Sequence, residues 1–330
     1  MKIFTKLVGH NGLTKLLLLL ILALAPNAAQ AQWRAIVGAQ SHDKGHQALA
    51  FLPNEIWIHA GENITWRFEA DDIHTVTFLL ADQPRPFFGD GCPGFSSSPA
   101  TYDGSTCVTT PPLISGQTFT VNFPVAGNFK LACLVHENMT GAIHVLAANQ
   151  PLPHDQAFYD RQAAEQRKNL LTDSDKGHGH ESSTSPNAVV AGTGEVSATG
   201  GGARAVSVVR FVHDPTEIQA GQTVEWTNLD PLLPHTITFG SRPPNPGPPS
   251  PNVTVDADGA RHAVVTNSSD NVHSGFIIAA PQERLGLPQA PIGVTRFRVT
   301  FPQAGTFPYI CALHDDLGMT GTVIVRPAHN

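Results

Sequence analysis

The chain has 330 residues, with 20 Lys and Arg against 27 Asp and Glu and a formal net charge of −7. Residues 1–31 hold three lysines and no acid, so the remainder sets 17 basic against 27 acidic residues, a net charge of −10, which disfavours nucleic acid and anionic membrane as partners. A hydrophobic content of 41% excludes wholesale disorder, while 27 Pro and 29 Gly favour short strands and turns over long helices. The length suits two ordinary domains.

Residues 1–31 read as a secretory signal. Lys2, Lys6 and Lys15 precede the apolar run 16–25, and Ala29-Gln30-Ala31 is a small-residue cleavage site. The run falls well short of the about 20 residues that cross a bilayer. Removal is therefore expected, leaving a mature chain that begins near Gln32, has no membrane span and is periplasmic or secreted.

In residues 60–78, AGENITWRFEADDIHTVTF, the alternation of Ile64, Trp66 and Phe68 predicts a strand, and His74 opens the next one. Cys92 and Cys107 bracket a Gly/Ser/Pro-rich loop, where a disulfide would restrain a floppy segment of an exported protein. Phe119, Val121 and Phe123 alternate in a further strand, Pro124 to Gly127 form a turn, and CLVHENM follows at 133–139. Residues 154–171 carry helix formers, with Phe158, Tyr159, Ala163 and Leu170 as a partial apolar face. Residues 172–204 are rich in Gly, Ser and Thr and read as a flexible linker. Their His178-Gly179-His180 is a weak metal signal.

The pattern then restarts. Residues 220–239, AGQTVEWTNLDPLLPHTITF, repeat 60–78 with one extra residue. Residues 297–325 repeat 119–145, with CALHDDLGM replacing CLVHENM, two residues longer before the Met. Phe51 and Phe211 each stand nine positions before their Ala-Gly pair. The chain is therefore an all-β duplication. Domains are expected at 45–147 and 205–327, each an antiparallel β-sandwich, joined by a helix-containing flexible linker at 148–204.

Apart from Met1 the chain has two methionines, and each follows a Cys and a His: Cys133, His136 and Met139, then Cys311, His314 and Met319. His74 and His235 are the only other histidines that align between the repeats; His59, His144, His213, His262 and His273 have no counterpart. A thiolate, two imidazoles and a weak axial thioether form the ligand set of an electron-transfer copper site. Zinc suits the set poorly, because a thioether is a weak ligand for it. Two other readings compete: the methionines as fillers of core gaps, and a Cys133–Cys311 bond, which would need an unusual docking of the repeats.

On these residues both repeats resemble cupredoxins, the small blue-copper β-sandwiches that include plastocyanin, amicyanin and azurin. His235 with Cys311, His314 and Met319 has the plastocyanin spacing, and His74 with Cys133, His136 and Met139 has the shorter amicyanin loop. Thr75 and Thr236 stand where plastocyanins and azurins commonly place an Asn that ties the two ligand loops together; a hydroxyl can serve the same role. The resemblance implies Greek-key sandwiches and two type 1 copper ions, with thiolate ligands Cys133 and Cys311, four equatorial histidines and two axial methionines. It makes His136 and His314 the more exposed imidazoles, through which electrons enter.

The resemblance further implies an exported electron carrier serving a redox protein, a cytochrome or a copper enzyme; the acidic charge is compatible with a basic docking surface. Two-domain nitrite reductases and small laccases place a His beside the copper Cys to reach a catalytic copper. Here the neighbours are Ala132, Leu134, Ile310 and Ala312, so no enzyme is expected. The alternatives are copper storage or delivery, and an oxidoreductase with an interface site drawn from His262, His273 or the HGH motif. The unequal ligand loops predict two different reduction potentials.

Overall fold

The computed structural model describes residues 32–86, 92–177, 185–279 and 294–328, so the expected signal segment and the HGH motif lie outside the described residues. The first repeat forms β1 (Gln32–Gln40), β2 (His46–Leu52), β3 (Glu55–His59), β4 (Glu62–Phe68), β5 (Thr77–Phe78), β6 (Ala100–Thr101), β7 (Val108–Thr109), β8 (Thr118–Phe123), β9 (Gly127–Ala132) and β10 (Thr140–Leu146). One helix, α1 (Gln156–Gly177), follows. The second repeat forms β11 (Ala188–Thr199), β12 (Gly202–Val212), β13 (Thr216–Gln219), β14 (Thr223–Leu229), β15 (Thr238–Phe239), β16 (Thr254–Val255), β17 (Arg261–Val264), β18 (Val272–His273), β19 (Arg296–Thr300), β20 (Gly305–Ile310) and β21 (Thr320–Arg326).

The alternation read from the sequence is the alternation of burial. Ile64 and Trp66 on β4 oppose Val121 and Phe119 on β8, and Val224 and Trp226 on β14 oppose Val299 and Phe297 on β19. Each Ile, Val or Phe withdrawn from water in this way contributes about 1.5–3 kcal/mol. One sheet of the first sandwich runs β3-β10-β9-β5-β7 and one sheet of the second runs β13-β21-β20-β15-β18. The two remaining sheets are continuous: eleven strands run β16-β17-β19-β14-β11-β12-β2-β1-β4-β8-β6 through both repeats. The join is β12 against β2, antiparallel, with Ala205 opposite Leu49 and Val208 opposite His46.

Three expectations change. The sheets are mixed rather than antiparallel, because β1 pairs parallel with β4, β3 with β10, β11 with β14 and β13 with β21. The first sandwich starts before residue 45, since β1 lies inside its sheet. The flexible linker does not extend over 188–204: β11 and β12 form a hairpin paired from Val190↔Val212 to Thr199↔Gly202, with a bulge between Ala191 and Thr193. Its Gly/Ser/Thr content misleads, because Val189, Ala191, Ala205 and Val209 alternate inward and are buried.

The helix reads as expected in kind and runs longer, Gln156–Gly177. The Asp155 carboxylate caps it, accepting from Phe158 N at 2.8 Å. Trp57 N donates to the Tyr159 hydroxyl at 2.9 Å, and Ala163 packs with Ala39, Ala48 and Ala50. The expected disulfide is present between Cys92 and Cys107, with Cα atoms 5.3 Å apart. No helix among the described residues is long and apolar enough to cross a membrane.

Candidate metal centres

Each repeat brings three of its four sequence-predicted ligands together, buried, at one end of its sandwich. His74, Cys133 and His136 form one group and His235, Cys311 and His314 the other, with ligand atoms in each group within 4.8 Å of one another. Strand geometry sets this up. His74 sits just before β5 and exchanges backbone hydrogen bonds with Leu113; His235 sits just before β15 and does so with Ile277. The cysteines follow β9 and β20 directly, so a connection of six or eight residues returns the chain to β10 or β21.

The return loops close on themselves in the same way. Cys133 N donates to Met139 O and Cys311 N to Met319 O, both at 3.0 Å. The longer second loop takes up its extra residues in a 3-10 turn, Asp315–Leu317, ended by Gly318 at φ 87°. Both methionines are fully buried beside their cysteines in the core.

In the first centre Nδ1 of His136 lies 3.0 Å from Nδ1 of His74 and 3.9 Å from Cys133 Sγ. In the second, Cys311 Sγ lies 3.9 Å from His235 Nδ1 and 3.4 Å from His314 Nδ1. Both rings of each pair thus turn Nδ1 toward the sulfur. Burial alone would raise the Cys133 thiol, but hydrogen bonds and charge from His136 and His74 outweigh it and hold it well below the ordinary thiol range. Cys311 is lowered likewise, by the charge of His314 and the hydrogen bond of His235. Two imidazole nitrogens converging on a sulfur that readily loses its proton suit copper.

The threonines take the place expected of the family's Asn. Thr75 N donates to Cys133 Sγ at 3.4 Å, and Thr75 Oγ1 accepts from Leu134 N at 2.8 Å. Thr236 repeats both contacts, to Cys311 Sγ at 3.4 Å and from Ala312 N at 2.7 Å. A hydroxyl therefore binds the two ligand loops together in each repeat.

Sequence reasoning missed three supports. Gly38 and Gly192 sit at bulges in β1 and β11 with φ of 66° and 78°, and a Cβ on either would collide with Nε2 of His74 or His235. The matching segments AIVGAQ and VVAGTG, 35–40 and 189–194, were the available signal. Carboxylates also face the rings. Asp72 lies 3.3 Å from His136 Nε2, and Asp230 lies 3.4 Å from His235 Nε2. Burial opposes protonation of both rings, yet these acids push His136 up to about 10 and, with Cys311, His235 to about 9. Finally, an Arg-Pro pair follows each first-ligand strand. Arg85 donates to Cys133 O at 2.7 Å and approaches Glu137 at 4.0 Å; Arg242 meets Asp315 at 3.0 Å.

His136 and His314 are the more exposed imidazole of each pair, at 2% and 6% against 0% for His74 and His235, although all four rings are buried. His262 and His273 stand apart from both clusters. His262 contacts Asp256 and Thr300, and His273 contacts Thr238 and Pro246 O.

Residues 198–326 match the family model of copper binding proteins, plastocyanin/azurin family. The second repeat is thus a cupredoxin domain, and the first shares its strand order and the placing of its ligands. Among solved structures the chain is similar to a reduced amicyanin variant at 16% identity, over 35% of this chain and 83% of that one, with a TM-score of 0.24. It is similar also to an oxidised amicyanin variant at 15% identity, over 34% and 81%, with a TM-score of 0.24. No curated protein matches the chain significantly.

Proposed function

We propose that the protein is an exported electron carrier with two type 1 copper centres in one chain. The observation that carries this is the repeated convergence of two buried Nδ1 atoms on one buried sulfur. Copper bound there supplies a one-electron couple between Cu(I) and Cu(II). Cys133 and Cys311 hold it as thiolates and give the main electronic coupling. His74 and His136 in one centre and His235 and His314 in the other would hold it with the thiolates, and Met139 and Met319 would complete each ligand set. Rigid support suits this role, because a site that moves little on electron transfer reorganises little.

A carrier is favoured over an enzyme by the residues beside each cysteine. Ala132 and Leu134, Ile310 and Ala312 are apolar and provide no ligand for an adjoining catalytic metal. The partner class is a redox protein, a cytochrome or copper enzyme, for which the acidic balance of the mature chain favours a basic docking surface. Storage or delivery of copper is the competing reading, since a buried thiolate site also retains Cu(I). Voltammetry separates them, with stopped-flow oxidation by a small basic cytochrome as the second arm. A carrier gives a reversible couple and rapid, salt-dependent electron exchange; a store gives tight Cu(I) binding with neither.

A further inference from the structure

A chain of hydroxyls leads from the sulfur of the second centre to a buried histidine outside its ligand set. Thr236 Oγ1 lies 3.9 Å from Cys311 Sγ and 3.3 Å from Thr238 Oγ1, and Thr238 Oγ1 lies 2.7 Å from His273 Nδ1. The ring ends the chain with its Nε2 2.9 Å from Pro246 O. Strand pairing builds this row: β15 sets Thr238 opposite His273 on β18 and opposite Ile310, the residue before Cys311, on β20.

The chemistry of the two ends fixes the direction of each proton. A carbonyl oxygen accepts and never donates, so neutral His273 carries its proton on Nε2 and presents Nδ1 to Thr238 as an acceptor. The Thr238 hydroxyl then donates to His273, and its oxygen accepts from Thr236. Thr236 thus turns its proton away from Cys311, whose sulfur keeps the Thr236 N–H at 3.4 Å. A protonated imidazole donates from both nitrogens. With Nδ1 donating, Thr238 turns its proton to Thr236, and Thr236 Oγ1, which already accepts from Ala312 N, turns its own to the sulfur. Each hydroxyl keeps its proton and rotates; the one added proton comes from water and stays on His273. The first repeat ends its chain differently. Thr109 stands opposite Thr77 as His273 stands opposite Thr238, and the Thr109 hydroxyl donates to Thr110 O, where no protonation can reverse it.

We propose that His273 is a positioning residue for the second centre, deciding through Thr238 and Thr236 whether the Cys311 thiolate receives a hydroxyl proton. The inference rests on reading the second cluster as a copper site. A donor at the sulfur draws charge from the thiolate and favours Cu(I), which raises the reduction potential. Burial, and more weakly the charge of Arg261 on β17, oppose protonation of His273; Pro246 O and the Cys311 thiolate favour it, and the balance lies below the ordinary 6.5. The 246–250 segment packed against the ring brings no further charge. The second centre should therefore gain potential as pH falls below 6.5.

The test is voltammetry of the copper-loaded mature chain against pH, with the second centre's wave identified as the one that survives in Cys133→Ser. Between about pH 8 and about pH 5 its reduction equilibrium should move about tenfold toward Cu(I), or about 59 mV for one electron. His273→Gln keeps an acceptor and a donor but takes up no proton, and Thr238→Val cuts the chain while His273 still titrates. Both should remove the shift. No shift in the unaltered protein, or a shift intact in either variant, as protonation of a ligand histidine would give, would overturn the proposal. A second readout needs neither copper nor substitution. In the metal-free protein, nitrogen NMR should show His273 as the Nε2-protonated tautomer above pH 6.5. The Nδ1-protonated tautomer would overturn the proposal even if a variant failed to fold. A copper-loaded chain with no reversible wave would refute the carrier reading itself, and this shows before pH is varied.

Discussion

Gly192 stands against Nε2 of His235, and a side chain there would have to occupy space that the ring already fills. The first repeat has the same relationship between Gly38 and His74. Two bulges therefore shape two pockets, each admitting one imidazole in one orientation.

Gly192→Ala should lower stability by about 1–3 kcal/mol from its left-handed backbone alone, and should also weaken copper binding by displacing His235. Gly221→Ala is the control, because Gly221 has φ of 87° with nothing near its Cβ position. Thermal melts of the copper-free proteins should fall in both variants. Copper titrations should weaken only for Gly192→Ala, and equal affinities would contradict the role given to the bulge.

The centres should differ in potential. Their loops differ by two residues, and the carboxylate sits on His136 in one centre but on His235 in the other. A voltammogram should resolve two waves, assigned by repeating it on the Cys133→Ser and Cys311→Ser variants. A single two-electron wave that each variant merely halves would show that the loops do not tune the sites.

Arg210 should matter to the join between the repeats as well as to the second ligand loop. Its guanidinium reaches Asp43 O and Leu317 O, and the loss of hydrogen bonds to a charged donor typically costs about 1.5–3 kcal/mol. Arg210→Ala should reduce stability by that order. It should also speed proteolysis in the β1–β2 turn, which can be read by mass spectrometry.

Acid should weaken the second sandwich through one ion-pair group. The Arg298 guanidinium holds Asp256 and Asp258 below the ordinary carboxylate value of 3.8. Their contribution is therefore present above that value and is lost as pH falls through the lowered folded-state values. Denaturant melts of Arg298→Met should show a deficit near pH 7 that shrinks as pH drops below 3.8. A deficit constant with pH would assign the effect to packing instead.

Much of this architecture was legible because duplication filters signal from noise. Comparing CLVHENM with CALHDDLGM, and IHTVTF with PHTITF, separates four candidate ligand histidines from a chain with 16. The parts that escaped depend on contacts the repeat comparison did not reach. β11 and β12 were hidden by Gly and Ser content although Val189, Val190, Val206, Val208 and Val209 are buried in them, and parallel pairing leaves no local mark in β1 or β4. Asp72 looked like part of an acidic spacer, and its meeting with His136 depends on how the loop folds back.

The most direct test is a copper titration of the mature protein followed by absorption spectroscopy. Two coppers per chain should bind and give an intense thiolate-to-copper band in the visible, and Cys133→Ser and Cys311→Ser should each remove about half of it. A colourless copper complex, or one substitution that abolishes the whole band, would contradict two independent thiolate centres.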